Sequence, residues 1–458
     1  MNSRSPRSLR SALACVLLVT LIAAAQQTPD PAKAAQLYKE GQDLLAGGDA
    51  IHARLKLVDA AQLGSSDAEN EVGKLYFLGK GVDPSSDEAL YWFLRSANHG
   101  NIRGMTNAGL MYFGDRGVNA DYGKAAQWLT KPAAEGLAIA QCGLGKLFAN
   151  GWGVPPDFAK AFELQTKAAE QGSVDAYNEL GKLYLFGNGV KQDSTAALDW
   201  FQKSSDGGDI RGMTNLGLMY LGDRGVPADL DKALHLLTQA AEQGQPIAQF
   251  KLGMMYEDGK GVAKDYAKAL PWLMKAAHQG IAEAKVMVGD YYLNGEDAVG
   301  IPQDLNTAVA YYKSAIQSHD PQVLAEVAAR LLDPESDIFD SAAARPLLVE
   351  SANAGNALGQ YHLAEEYRID KEFVKAAELY KLSADQGFML ASEELAQLYL
   401  KGEGVERSAL KAYITAALAI KRGASWLSGT RDKAAKELTP AQLEEAKAEI
   451  ERKKAAWK

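Results

Sequence analysis

Apolar residues recur along most of this chain at spacings of three and four. Between Ser173 and Gly208, Ala176, Leu180, Leu183 and Tyr184 fall on one helical stripe, and Ala197, Trp200 and Phe201 fall on another. The segment between the stripes, Gly187-Asn188-Gly189-Val190, has the chemistry of a helix end. Glycine accepts the left-handed backbone that follows a C-terminus, and the valine can fold back onto the apolar face. Asp193 stands where the second helix should begin, placed to accept its free N–H groups. Gly207-Gly208 closes the unit. The pattern predicts two antiparallel helices joined by a short loop. Such a pair leaves apolar surface uncovered, so it must stack on further pairs.

Those further pairs are present. Gly100, Gly136, Gly172, Gly208, Gly244 and Gly280 are spaced by 36 residues. Gly81, Gly117, Gly153, Gly189, Gly225 and Gly261 keep the same step, each followed by valine. Tyr76, Tyr112, Phe148, Tyr184, Tyr220, Tyr256 and Tyr292 form an aromatic column, and Asp121, Asp157, Asp193, Asp229 and Asp265 an acidic one. A column at Gly73, Gly109, Gly145, Gly181, Gly217, Gly253 and Gly289 lies inside the first helices. There glycine costs about 1 kcal/mol relative to alanine, so close approach of a neighbouring helix must compensate. Where the loop carries Asp115 or Asp223 in place of its first glycine, the aspartate is expected to take the left-handed angles. Ser85 and Glu88 have the spacing of a capping box. A longer echo overlies the period: Gly100–Val118 recurs at Gly208–Val226 with three changes, 108 residues on, as duplication of a three-repeat block would leave it.

The run Leu180-Gly-x-x-Tyr184-x-x-Gly187-x-Gly-Val-x-x-Asp193-x-x-x-Ala197-x-x-Trp200 resembles the Sel-1-like repeat, a relative of the tetratricopeptide repeat. The resemblance is strict from Ala68 to Gly280 and looser from Pro31 to Gly423. It implies an all-α fold, an α/α superhelical solenoid of about ten to eleven helix pairs, with a concave face built mainly from first helices. It also implies an adaptor role in protein complexes, often in cell envelopes or the secretory pathway. A hydrolase activity has been suggested for cysteine-rich relatives that carry a disulfide in each repeat; this chain lacks those cysteines.

The organisation expected is a targeting segment over 1–25, an N-terminal helix pair over 26–64, six regular repeats over 65–280, divergent repeats over 281–424 and a capping helix over 425–458. In the divergent part the loop from Gly295 to Asp304 is longer by three residues, and the Gly-x-Gly-Val loop is lost between Asp320 and Gly355. Near the end, Thr439-Pro440-Ala441-Gln442 starts a helix on which Leu443, Ile450 and Trp457 recur every seven residues. At the beginning, Arg4, Arg7 and Arg10 precede an apolar run from Ala12 to Ala24, the pattern of a secretory signal cut near Ala25 or, alternatively, kept as an anchor. No later stretch has eighteen consecutive apolar residues, so no membrane association is expected after cleavage. The compartment expected is the periplasm or the exterior, or the secretory-pathway lumen in a eukaryote.

The formal charge is −9, and removing residues 1–25 takes away three arginines and no acid, leaving −12. That balance argues against nucleic acid and anionic membranes as partners. Cys15 leaves with the signal, so Cys142 has no partner for an intrachain disulfide and reads as a small buried hydrophobe. No P-loop, dinucleotide fingerprint or paired-cysteine metal site is present, and no cofactor, metal or catalytic residue is assigned. His362-x-x-Glu365-Glu366 has spacing for one helical turn, but the six histidines are scattered and a solvated face is the simpler reading. Three positions stand out for binding. Trp152 occupies a loop position where other repeats have Lys80, Arg116, Asn188, Arg224 and Lys260, either as a contact residue or as a lid over the neighbouring repeat. Arg103 with Asn107, and Arg211 with Asn215, sit at repeated polar positions of first helices. They are suited to a peptide backbone or carboxylate, or are the residue of an undiverged duplication. The function expected is a non-catalytic scaffold holding a protein or peptide; the alternative is an envelope component binding wall polymer.

Overall fold

The thirteen-residue helices that dominate this chain are too short to stand alone in water, so their stability must come from stacking. The computed structural model describes residues 30–222, 224–295 and 300–455. Among them are twenty-four α-helices and no β-strand. The chain divides into two compact units, one reaching to Leu236 and one beginning at Leu237, and each is a stack of helix pairs. The expected targeting segment, Asp223 and Trp457 lie outside the described residues.

The repeat after Ser173 shows how the sequence builds a pair. Ser173 caps the helix Val174–Phe186, its hydroxyl accepting from the Ala176 N–H, and Gly187 ends that helix at φ 70°. The Asp193 N–H donates to the Tyr184 carbonyl at 3.0 Å, closing the loop. The Asp193 carboxylate then accepts from Thr195 and Ala196 at 2.9 and 3.0 Å, starting the helix Ser194–Asp206. The core is shared between repeats: Cys142, Ala168, Ala176, Leu180 and Leu183 form one buried cluster, and Leu185, Phe201, Leu216 and Met219 form another. Each large side chain fully buried there contributes about 1.5–3 kcal/mol.

The interior glycines compensate for their poor helix propensity as expected. A Cβ at Gly181 would lie 2.5 Å from the Phe201 ring, and at Gly73 2.6 Å from Phe93, so the second helix packs directly on first-helix backbone. The second glycine of each loop has a different reason. A Cβ at Gly189 would sit 2.2 Å from the Phe158 carbonyl oxygen, because the loop rests on the first turn of the preceding repeat's second helix. The aromatic column gains a clasp that the periodicity did not announce. Lys124, Lys160, Lys232 and Lys268 pair with the capping aspartates and lie 5.0–5.6 Å over Tyr112, Phe148, Tyr220 and Tyr256.

Two local expectations need correction. Asp115 does not adopt left-handed angles; Gly114 does, at φ 89°, and the preceding helix ends early at Met111. A glycine one residue upstream makes that conformation at no steric cost, so the aspartate is spared it. The box at Ser85 is half formed: its hydroxyl accepts from the Glu88 N–H, but the Ser85 N–H is taken by the Tyr76 carbonyl. The reciprocal box appears instead at the last helix. There the Thr439 N–H donates to Gln442 Oε1 at 2.9 Å and the Gln442 N–H to Thr439 Oγ1 at 3.3 Å. In the second unit the helix pair Pro321–Leu331 and Ser341–Asn353 persists without its glycine loop, with Asp340 donating to the Leu331 carbonyl and capping the second helix. Ala446 and Ile450 bury the last helix, Pro440–Ala455.

Candidate functional site

First helices of the first unit present side chains at every fourth and third position that stacking does not consume. Along Ser66–Leu78 these are Asp67, Glu71, Lys74 and Leu78. In the repeat starting at Ala138 the same positions hold Ile139, Gly143, Lys146 and Asn150. Gly143 removes a side chain where neighbouring repeats carry Asn107 and Glu179, and Cys142 replaces the larger Asn178 of the next repeat. The space released is a cleft of about 540 Å3, lined among others by Ile139, Lys146, Ser173, Asp175 and Arg211.

The charges of the cleft form a network. Asp175 accepts from the Arg211 guanidinium and lies 3.6 Å from Lys146 Nζ. Arg211 Nε also reaches Asp209 at 3.1 Å. Burial opposes the Arg211 charge, but Asp209 and Asp175 more than offset it. Ile139 is 55% exposed beside these charges, in a cleft that Leu110, Phe113 and Val174 also line. Cys142 lies on the floor of the cleft, buried, and burial pushes its thiol up to about 11. At neutral pH it is a protonated thiol rather than a nucleophile.

The five side chains singled out in the sequence have four different surroundings. Asn107 Nδ2 donates to Asn70 Oδ1 at 2.8 Å, and Asn215 Nδ2 donates to Asn178 Oδ1 at the same distance. Arg103 is exposed on the same helix as Asn107 and makes no hydrogen bond or ion pair among the described residues. Arg211 joins the cleft through Asp175. Trp152 does not line it. Its ring stacks on Tyr122 at 5.0 Å, with 41% of the residue exposed, so it covers the preceding repeat while keeping one face open. The structure thus brings Arg211 to Lys146 and Ile139, which the periodicity alone had not marked, and leaves Trp152 elsewhere. The missed signal was a pair of column departures, Cys142 and Gly143.

In the second unit His362 is largely enclosed, and burial lowers its pKa so that it is neutral at pH 7. It lines a cleft of about 770 Å3 with Tyr361, Phe339 and Ile369. Glu365, one turn away, is held by Arg368 and by the Tyr380 hydroxyl. Among the described residues no group of His, Cys, Asp and Glu is placed to hold a metal ion, and no helix is long and apolar enough to cross a membrane.

A family model described as Sel1 repeat matches nine segments of the chain: 66–101, 102–137, 138–173, 174–209, 210–245, 246–281, 282–320, 354–388 and 390–414. No curated protein matches significantly. Among solved structures, the chain is similar to c5321, described as a protective antigen present in uropathogenic Escherichia coli strains and displaying an SLR fold. Identity is 29% with a TM-score of 0.59, covering 92% of this chain and 91% of that one. It is also 29% identical to a Sel1 repeat protein from Oxalobacter formigenes, covering 52% of this chain and 96% of that one, with a TM-score of 0.48.

Proposed function

The chain belongs to the Sel1 repeat family, and from that premise we propose that it is a non-catalytic scaffold of an extracytoplasmic compartment, holding a protein or peptide on its first-helix face. Repeats of this family act generally as protein-interaction scaffolds. The observation that carries the reading is the cleft of Ile139, Lys146, Asp175 and Arg211. First helices of successive repeats frame it, and the segments at Phe113–Arg116 and Gln171–Ser173 complete its walls. Its exposed isoleucine stands among paired charges, an arrangement suited to an apolar side chain flanked by polar main chain. Cys142 is a protonated thiol and Glu365 is engaged by Arg368 and Tyr380, which favours the non-catalytic reading.

The compartment rests on the N-terminal pattern of three arginines and an apolar run ending in Ala23-Ala24-Ala25. The test is a cross-linking pull-down from an envelope extract of the source organism. The wild type is compared with an Ile139→Asp, Arg211→Ala variant and with Tyr91→Ser on a second helix. The reading expects a protein adduct lost in the first variant and kept in the second. Retention on purified cell wall with no protein adduct would replace it with a structural role in the envelope.

A further inference from the structure

Over the first two repeats of the three-repeat duplication the two helix faces have diverged unevenly. Every exposed side chain of the second helix Ser86–Asn98 has changed in its copy: Asp87, Glu88, Tyr91 and Asn98 became Thr195, Ala196, Asp199 and Asp206. On the next second helix Gln127 became His235 and Lys131 became Gln239; of the exposed residues kept, Lys124 or Lys232 pairs with its capping aspartate and the Thr130 hydroxyl, kept as Thr238, donates to the Ala126 carbonyl. On the first helices of these two repeats the polar stripe and the paired asparagines stayed, whereas on the third first helix Lys146 became Met254 and Asn150 became Asp258. Asp67, Asn70, Glu71 and Lys74 are Asp175, Asn178, Glu179 and Lys182; Arg103 and Asn107 are Arg211 and Asn215. A recent duplication that had not yet diverged would have spared both faces alike.

Fold maintenance accounts for the asparagines, glutamates and lysines that were kept, but not for the arginines. The half-buried pairs Asn70–Asn107 and Asn178–Asn215 are bonded alike at 2.8 Å, and Glu71 and Glu179 each hold the lysine three residues on. The arginines, however, are wired differently. Arg211 is paired with Asp175 and Asp209, whereas Asp67 accepts from Asn101 and Arg103 makes no hydrogen bond or ion pair among the described residues. An exposed arginine kept in both copies, with an internal bond in only one, points outward for its reason. Leu78 and Phe186, at the end of the same stripe, are 57% and 63% exposed. Bulk and apolarity are retained there but aromaticity is not, which favours an aliphatic contact over stacking on a sugar ring.

We propose that the first-helix face of the first unit carries two copies of one peptide-binding subsite, built on Asn107 with Arg103 and on Asn215 with Arg211, so that a partner is held through two like extended segments. The inference rests on the scaffold reading and specifies its ligand. After donating to its neighbour, each outer asparagine keeps one N–H and its carbonyl, the complement of one peptide unit. The arginine one turn away takes an acidic side chain of the segment, and Leu78 or Phe186 takes an apolar one.

The test uses a displayed library of random dodecapeptides selected on the purified full-length protein, with the enriched peptide then titrated calorimetrically. Two peptides should bind per chain. Replacing Arg103 and Asn107 with alanine should leave one site of unchanged affinity, as should replacing Arg211 and Asn215, and all four changes should abolish binding. Arg103→Ala alone removes an exposed, unpaired side chain and cannot unfold the repeat; it should weaken one of the two sites by about tenfold or more. Tyr91→Ser should change nothing. A single site, or binding indifferent to the four changes, would overturn the paired subsites and leave the scaffold reading standing. Failure to enrich any peptide would overturn both.

Discussion

Alanine in place of Gly189 isolates the contact that seats one repeat on the next. Gly189 and Gly172 both adopt left-handed angles, φ 73° and 84°, so an alanine at either bears about 1–2 kcal/mol of backbone strain. Their surroundings differ. A Cβ at Gly172 meets nothing within 4 Å, whereas at Gly189 it would lie 2.2 Å from the Phe158 carbonyl oxygen and 2.5 Å from the carbonyl carbon. That obstacle is main chain in the first turn of the helix Phe158–Glu170, and no rotamer change relieves it. Overpacking ordinarily costs about 1–3 kcal/mol, and a rigid obstacle puts this case at the upper end. Gly172→Ala should therefore cost about 1–2 kcal/mol and Gly189→Ala about 4–5 kcal/mol. Long repeat arrays unfold with limited cooperativity, so amide hydrogen exchange across Phe158–Glu170 and Val174–Phe186 is the suitable assay. Equal losses at the two positions would refute the argument that the second loop glycine is kept for contact with the preceding repeat.

Further outcomes follow from the same geometry. Cys142 should react with iodoacetamide at pH 8 about a hundredfold more slowly in the folded than in the unfolded chain, since burial raises its thiol from 9.0 to about 11; comparable rates would show the site to be open. The folded thiol keeps its proton to higher pH than the unfolded one, so its stabilising effect is complete below about pH 9 and declines toward pH 11. Asp193→Ala removes the acceptor of two N–H groups and should cost about 1 kcal/mol, read as faster exchange in the first turn of Ser194–Asp206. Trp152→Ala should cost about 0.5–1.5 kcal/mol through loss of the stack on Tyr122, measured by thermal unfolding. An unchanged midpoint would mean that the indole serves only a partner.

What the sequence made legible was whatever recurs. The glycine, aromatic and aspartate columns specify helix ends, caps and the packing of Phe201 on Gly181, because each repeat solves the same local problem with the same residue types. Departures from a column were harder to interpret. Asp115 suits the left-handed position by residue type, yet Gly114 takes the angle, since either residue satisfies the loop and only the backbone decides. The cleft arises from side chains that are small or missing, at Cys142 and Gly143, and an absence in one repeat gains meaning only beside its neighbours' Asn107 and Glu179. Arg103 and Arg211 were visible as repeated residues, yet their exposure and unequal pairing are three-dimensional facts.

The central claim is that the first-helix face of the first unit is where this protein meets its partner. A photoreactive phenylalanine analogue placed at Ile139, in the cleft, or at Tyr91, exposed on a second helix, tests it in the living cell. Irradiation should give a discrete protein adduct from position 139 and none from position 91. An adduct from position 91 alone, or from neither, would contradict the account.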